Sequence, residues 1–231
     1  MLNPALDVAA LSQAFMAKPR LVIRDLLVPE AADILHRALS AVPWDISFVD
    51  GGPRRFSQAQ MAEMPDAERR RMMQTVIGEA RGRFQFLYNS FPMITAYREN
   101  RAPDHPLHDM VEVINGPVMD LVKQITRDGR AVRADAQATL YAPGHFLTRH
   151  TDAEDPARLY AYVMGFTKSW LAEWGAQLQF LDRGGGVEEC LVPSFNTLTL
   201  FKVPQLHHVS HVPVFAPVGR YAITGWFYDR P

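Results

Sequence analysis

Residues 141–155, YAPGHFLTRHTDAED, carry a histidine and an aspartate one residue apart, His150 and Asp152. Side chains alternate between faces along an extended strand, so this pair projects to one side. More imidazole lies downstream in HHVSH, as His207, His208 and His211. There His207 and His211 share a face and His208 points the other way. Two imidazoles and one carboxylate meeting at a point form a donor set that suits Fe(II) and leaves three coordination positions open. With Cys190 as the single cysteine, a disulfide within the chain and a cysteine-rich zinc site are both excluded. Spacing alone leaves His207 and His211 equally open as the third ligand.

Arg220, in GRYAITGWFYD, sits in an otherwise apolar terminal run. A buried guanidinium is costly unless its charge is paired, and its planar fork grips a carboxylate through two parallel hydrogen bonds. Two readings follow. Arg220 holds the far carboxylate of a dicarboxylate that chelates the metal with its other end, or it pairs with an internal Asp or Glu. Other chemistry-bearing residues read more plainly. His105 and His108 suit a helix cap and a partly exposed side chain, and the Glu68-Arg69-Arg70-Arg71 run a solvated helix face. Cys190 reads as a small buried residue, and Trp170, Trp174 and Trp226 as core aromatics whose N–H groups need partners.

The elements that must position these groups change character along the chain. Of 231 residues, 48% are apolar and 21% charged, enough for a sizeable core in a single domain over 1–231. Residues 1–130 read as helix-rich. PEAADILHRALSAV (29–42) places Ile34, Leu35, Ala38, Leu39 and Val42 at helical spacing behind Pro29, and PDAERRRMMQTVIGEAR (65–81) repeats the Pro-Asp start. Leu107, Met110, Val111 and Ile114 form one apolar stripe; Val118, Leu121, Val122 and Ile125 form another. From AVRADAQATLY (131–141) the period becomes two, and about seven strands with short links follow. That pattern describes an α+β, mainly β chain. Its antiparallel jelly-roll sandwich or barrel over 131–231 carries all the candidate ligands, and its N-terminal helices are layered on one sheet. The formal net charge of −1 gives no basic excess for nucleic acid and no acidic tail. With no secretory signal and no apolar run of membrane-spanning length, a cytoplasmic protein is expected.

The ordered set YAPGHFLTRHTDAED, RLYAY, TKSWLAEWG, LQF, FKVP, HHVSHV and RYAITGWF resembles the Fe(II)/2-oxoglutarate-dependent dioxygenases of the prolyl-hydroxylase-like branch, over about residues 134–229. LVIRDLLVPEAADILHRAL likewise resembles the strand and helix that precede the core in that family. The resemblance implies a double-stranded β-helix and places the metal ligands at His150, Asp152 and His207, the last because Val209 and Val212 follow it in the family's spacing. It places the 2-oxoglutarate anchor at Arg220 and a hydroxyl donor to the cosubstrate at Tyr141. The implied reaction uses Fe(II), 2-oxoglutarate and O2, with ascorbate as a possible reductant. It hydroxylates a C–H bond, a prolyl residue of a peptide or protein in the first instance, and releases succinate and CO2.

Two positions depart from the family pattern. Ala176 follows Gly175 where a second glycine is frequent, and Ala222 stands where a serine would add a hydroxyl beside the cosubstrate. Asp152 is present, unlike in halogenating relatives, which favours hydroxylation. The loops at 48–58 and 153–159 are candidate lids, and Arg54, Arg55 and Arg158 candidate substrate contacts. Three alternatives stay open: the same chemistry on a free amino acid or small molecule, a non-catalytic jelly-roll binding module, and a zinc hydrolase at the same triad.

Overall fold

The computed structural model describes residues 1–231. The chain begins with helix α1 (Val8–Ala17), capped by the Asp7 carboxylate, and strand β1 (Arg20–Arg24). Helix α2 (Pro29–Ala41) starts at Pro29 and buries Ala32, Leu35, Ala38 and Leu39, while Ile34 turns to solvent. The stripe is thus displaced by part of a turn from the one read in the sequence.

The next segment differs from the mostly helical expectation. Strands β2 (Asp45–Val49) and β3 (Pro53–Phe56) form a hairpin, followed by helices α3 (Gln58–Glu63) and α4 (Asp66–Glu79) and strand β4 (Phe86–Phe91). Helix α4 buries only Val76 and exposes Glu68, Arg70 and Arg71, the solvated face expected. Helices α5 (Met93–Arg98), α6 (Pro106–Val113) and α7 (Met119–Thr126) complete the helical part. A wide turn at Ile114–Val118, carrying Gly116 and Pro117, separates α6 from α7. His105 caps α6 as expected, accepting from the Leu107 N–H at 3.3 Å, but His108 is buried against Tyr97 rather than partly exposed.

The strand-rich half supplies β5 (Arg133–Ala134), β6 (Gln137–Tyr141), β7 (Phe146–His150), β8 (Arg158–Phe166), β9 (Leu178–Leu181), β10 (Val187–Leu191), β11 (Phe195–Lys202), β12 (His207–Val209) and β13 (Arg220–Tyr228). The strand read over 131–141 is broken at Asp135-Ala136. Gly225 lets β13 close on that break, since a Cβ there would lie 2.0 Å from the Asp135 carbonyl oxygen.

The strands form one antiparallel sheet that curls on itself, in the order β1-β11-β8-β13-β6-β4-β7-β12-β9-β10. Strand β4 joins the two walls: Asn89–Phe91 pair with β6, and Phe86–Leu87 pair with β7. This is the mainly β, jelly-roll architecture expected. Helices α1, α2, α5, α6 and α7 lie on the outer face of one wall, where Leu35, Leu39, Met110, Val122 and Ile125 meet Leu198, Leu200 and Ile223 in the largest apolar cluster. Each such buried side chain contributes roughly 1.5–3 kcal/mol. Asn196 ties the layers, accepting from the Leu27 N–H at 2.9 Å and donating to its carbonyl at 2.8 Å. A second cluster, with Tyr141, Leu178, Phe180, Phe201 and Val209, lines the inside of the curl. No helix is long and apolar enough to cross a membrane.

Candidate metal centre

His150 ends β7 and His207 begins β12, and the two are direct partners across that antiparallel pair. Their rings lie 4.1 Å apart between centroids. Asp152, two residues past His150, adopts a left-handed φ of 63° that swings its carboxylate under both rings. The His150 Nε2 to Asp152 Oδ1 distance is 3.4 Å and the His207 Nε2 to Asp152 Oδ2 distance is 3.6 Å. The three donor atoms lie within 4.8 Å of one another.

The ring nitrogens facing away set the tautomer. His150 Nδ1 lies 3.0 Å from the Thr148 carbonyl oxygen, and His207 Nδ1 lies 2.8 Å from that of Gln205. A carbonyl only accepts, so each Nδ1 carries the proton and each Nε2 offers a lone pair to the common point. Burial, and next the neighbouring His150, push the His207 pKa down to about 4 against the opposing pull of Asp152, so its imidazole is neutral near pH 7. Burial, the largest influence on Asp152, would raise its pKa. Contact with His150, the proximity of His207 and the nearby Trp226 outweigh it and hold the carboxyl below its ordinary value. Two imidazoles presenting Nε2 and a carboxylate are a donor set that suits a divalent ion such as Fe(II). The other histidines stand apart: His208 Nε2 meets Gln179 Oε1 at 2.9 Å on the opposite face, and His211 is exposed.

Arg220 opens β13 and is the register partner of Tyr141, which closes β6. Its side chain is buried, the residue being 6% exposed, and burial lowers its pKa. Its one hydrogen bond within the protein runs from Nη1 to the Ala176 carbonyl at 3.1 Å, and no Asp or Glu pairs with it. The internal-pair reading of Arg220 is therefore not what the fold contains. A buried, carboxylate-free guanidinium fits the far carboxylate of a dicarboxylate such as 2-oxoglutarate. The Tyr141 hydroxyl, its pKa pushed far up first by burial and then by Tyr88, remains a neutral donor facing the same space. The turn at Gly175-Ala176 is intact despite the second residue being alanine. Gly175 has φ 67° and its absent Cβ makes room for the His211 carbonyl, while Ala176 takes φ 50° and aims its carbonyl at Arg220.

These groups share a cavity of about 530 Å³ with Tyr88, Leu147, Phe201, Val209 and Trp226. A second hollow of about 370 Å³ shares Pro53, Phe86, Tyr88, Gln137, Thr224 and Trp226 with it as lining, and is flanked by Arg54 and Arg55 of the β2–β3 hairpin. Two residues gain a place that the sequence did not give them. The Trp226 indole N–H is buried without a partner in hydrogen-bonding geometry, yet it lies close enough to Asp152 to favour the charged carboxylate. Arg158 lies 3.9 Å over the Trp226 ring and donates from Nη1 to the Asp152 carbonyl at 3.3 Å. The signal for Trp226 was present in the alternation of β13, because residues 220, 224 and 226 share the inner face. Trp170 does pack in the interior region, with its N–H donating to the Gly175 carbonyl at 3.0 Å. Cys190, read as buried, is exposed on β10.

Residues 136–228 match the 2OG-Fe(II) oxygenase superfamily. The resemblance read from the sequence is thereby borne out over the segment that holds His150, Asp152, His207 and Arg220. No curated protein is a match to the chain. Among solved structures, a prolyl-4-hydroxylase from Pseudomonas putida is similar at 18% identity and a TM-score of 0.59, over 97% of this chain and 100% of that one. A prolyl hydroxylase from Trichoplax adhaerens, solved with a hypoxia inducible factor oxygen degradation domain peptide fragment, is similar at 16% identity and a TM-score of 0.62, over 96% and 89%. A 2OG-Fe(II) oxygenase family oxidoreductase from Burkholderia pseudomallei is similar at 12% identity and a TM-score of 0.58, over 100% and 93%. At these identities the likeness establishes the fold, and the superfamily match together with the triad geometry implies Fe(II) and 2-oxoglutarate.

Proposed function

We propose that the protein is an Fe(II)- and 2-oxoglutarate-dependent dioxygenase that hydroxylates a prolyl residue of a peptide or protein. The observation that carries this reading is the meeting of the His150, Asp152 and His207 donor atoms in the same cavity as a buried Arg220 that no protein carboxylate neutralises. When bound, the ferrous ion with 2-oxoglutarate and O2 supplies the oxidising chemistry, turning the oxo acid into succinate and CO2 and a substrate C–H into C–OH.

The residues of the chain bind, orient and shield. His150, Asp152 and His207 hold the ion by three donors on one side. Arg220 takes the 5-carboxylate of 2-oxoglutarate, and the Tyr141 hydroxyl donates to the same molecule from across the β6–β13 pair. The orientation of Asp152 is kept by Arg158, which donates to its backbone carbonyl. The apolar wall of Leu147, Val163, Leu178, Phe201 and Val209 excludes water around the ion.

A peptide is supported by the second hollow, which shares six lining residues with the first; we read the two as one trough that an extended chain would follow. Phe84, 49% exposed with its ring 5.4 Å from that of His150, and Phe86 offer apolar faces at the entrance suited to a pyrrolidine ring. In this reading the β2–β3 hairpin covers the trough, and the whole chain works as one domain, since β1 and β4 are strands of the same sheet as the ligands.

The test is succinate formation with Fe(II), 2-oxoglutarate and ascorbate, with and without a set of proline-containing peptides, followed by mass spectrometry of the peptides. A peptide that stimulates succinate release and gains one oxygen on proline supports the proposal. Stimulation by free amino acids and by no peptide would move the substrate to small molecules while keeping the chemistry.

A further inference from the structure

The two histidines of the triad each give their Nδ1 proton to the backbone carbonyl two residues upstream, but those two carbonyls are held by different means. Thr148 lies inside β7, where the extended strand backbone sets the direction of its carbonyl. Gln205 lies in the connection between β11 and β12, outside any strand. Two soft dihedrals per residue would let its carbonyl turn away unless something else fixed it.

The Gln205 side chain does so. Its Nε2 donates to the Pro19 carbonyl at 2.8 Å and to that of Lys202 at 3.1 Å, and its Oε1 accepts from Arg20 Nη1 at 2.9 Å. Arg20, on β1, is buried with its side chain 8% exposed. It is set in turn by Glu188 at 2.8 Å and Glu189 at 2.5 Å. Its guanidinium also lies 4.5 Å over the Phe180 ring. Phe180 and Phe201 pack on the His207 imidazole at 6.0 and 4.9 Å between centroids. Arg20 therefore reaches His207 by two routes, one polar through Gln205 and one by packing through Phe180.

We propose that Arg20 and Gln205 are positioning residues that hold His207 with Nε2 free and aimed at Asp152, so that β1, outside the segment matching the oxygenase superfamily, sets the affinity of the metal centre. The inference rests on the metal reading of the triad. The group that receives the second ring N–H of a ligating histidine fixes its tautomer and direction, and losing it typically weakens metal binding about 10- to 100-fold. A lysine at position 20 cannot replace the arginine, because only a planar fork reaches Gln205 and both glutamates at once.

The test titrates metal-free protein with Mn(II) by calorimetry for the wild type, Gln205→Met, Arg20→Met and Arg20→Lys, and follows the His207 ring nitrogens by long-range 15N–1H NMR. In Gln205→Met the side chain keeps its volume and loses its hydrogen bonds, while Arg20→Met removes the guanidinium from Gln205 and from the Phe180 ring together. The expected result is a loss of Mn(II) affinity of about 10-fold or more in all three variants. The Nδ1-protonated form of His207 in wild-type protein should give way to a mixture of tautomers. Arg20→Lys keeps a charge between Glu188 and Glu189 and carries the same expectation if Arg20→Met does not fold. A merely structural role would lower the thermal midpoint and leave both readouts unmoved, and that outcome overturns the proposal. Wild-type protein that takes up no Mn(II) would overturn the triad reading itself, and this inference with it.

Discussion

Arg220 and Tyr141 face each other as register partners of β13 and β6, with the guanidinium carbon 5.4 Å from the phenol ring centroid and no acidic side chain paired to the arginine. A buried cation placed beside a neutral phenol ring rather than a carboxylate is costly in a protein that binds no anion there. It becomes favourable when a dianion arrives with one end on the ion and the other on the guanidinium.

Arg220→Leu is accordingly expected to raise the 2-oxoglutarate requirement by about 100-fold, equivalent to about 3 kcal/mol. The fold should keep or gain stability, since an uncompensated buried charge is removed. Steady-state succinate formation against 2-oxoglutarate concentration, with a thermal melt of the metal-free protein, checks both halves. An unchanged requirement would assign the carboxylate to another residue.

On the proposed function, Tyr141→Phe removes one hydrogen bond to 2-oxoglutarate; it keeps the ring between Tyr88 and Arg220. A loss of about 1.5–3 kcal/mol in 2-oxoglutarate binding is expected, with Fe(II) binding preserved. Equal weakening of both ligands would show that the ring packing, not the hydroxyl, matters.

Asp152 combines a buried carboxylate with a left-handed backbone, a conformation that costs most residues about 1–3 kcal/mol and glycine little. Asp152→Gly should therefore abolish metal binding while leaving the metal-free protein no less stable than wild type. Retained succinate formation in this variant would remove Asp152 from the ligand set.

Asp128 links the end of α7 to β8, accepting from the Tyr160 hydroxyl at 2.9 Å and pairing with Arg130 at 2.7 Å. The Arg130 contact, above all, holds its carboxyl well below the ordinary carboxylate range. A depressed folded-state value means that the unfolded chain takes up the proton first. The stabilisation is present above the unfolded value of about 3.9 and is lost as pH falls through the folded one. Acid unfolding curves of Asp128→Asn should lack part of the wild-type slope below about pH 4. Curves of identical steepness would mean that the pair contributes nothing to acid stability.

Much of the site was legible in the sequence through the family resemblance, which placed ligands at His150, Asp152 and, by the valines behind it, His207. Strand alternation alone does not carry Asp152, which lies past the end of β7 with a left-handed φ of 63°. The structure brings these three together and leaves His211 outside. The apolar stripes of α6 and α7 were equally plain, since Leu107, Met110, Leu121 and Ile125 are all buried. Strands β2, β3 and β4 were not read. In β4 the alternation puts Phe86 and Tyr88 into the cavity and Leu87 into a small cluster with Phe48 and Val76, so both faces are apolar and no polar–apolar period shows. Gln205 had no local signal at all, because its importance lies in a carbonyl and in partners at Pro19 and Arg20 that only the fold brings near.

The most direct test of the central claim is anaerobic addition of 2-oxoglutarate to the Fe(II)-loaded protein, monitored by visible absorbance, for the wild type and Asp152→Ala. The account predicts a metal-to-ligand charge-transfer band in the wild type that saturates at one 2-oxoglutarate per chain and is lost in the variant. A wild-type protein that takes up Fe(II) but develops no band, or a variant that develops the same one, would contradict it.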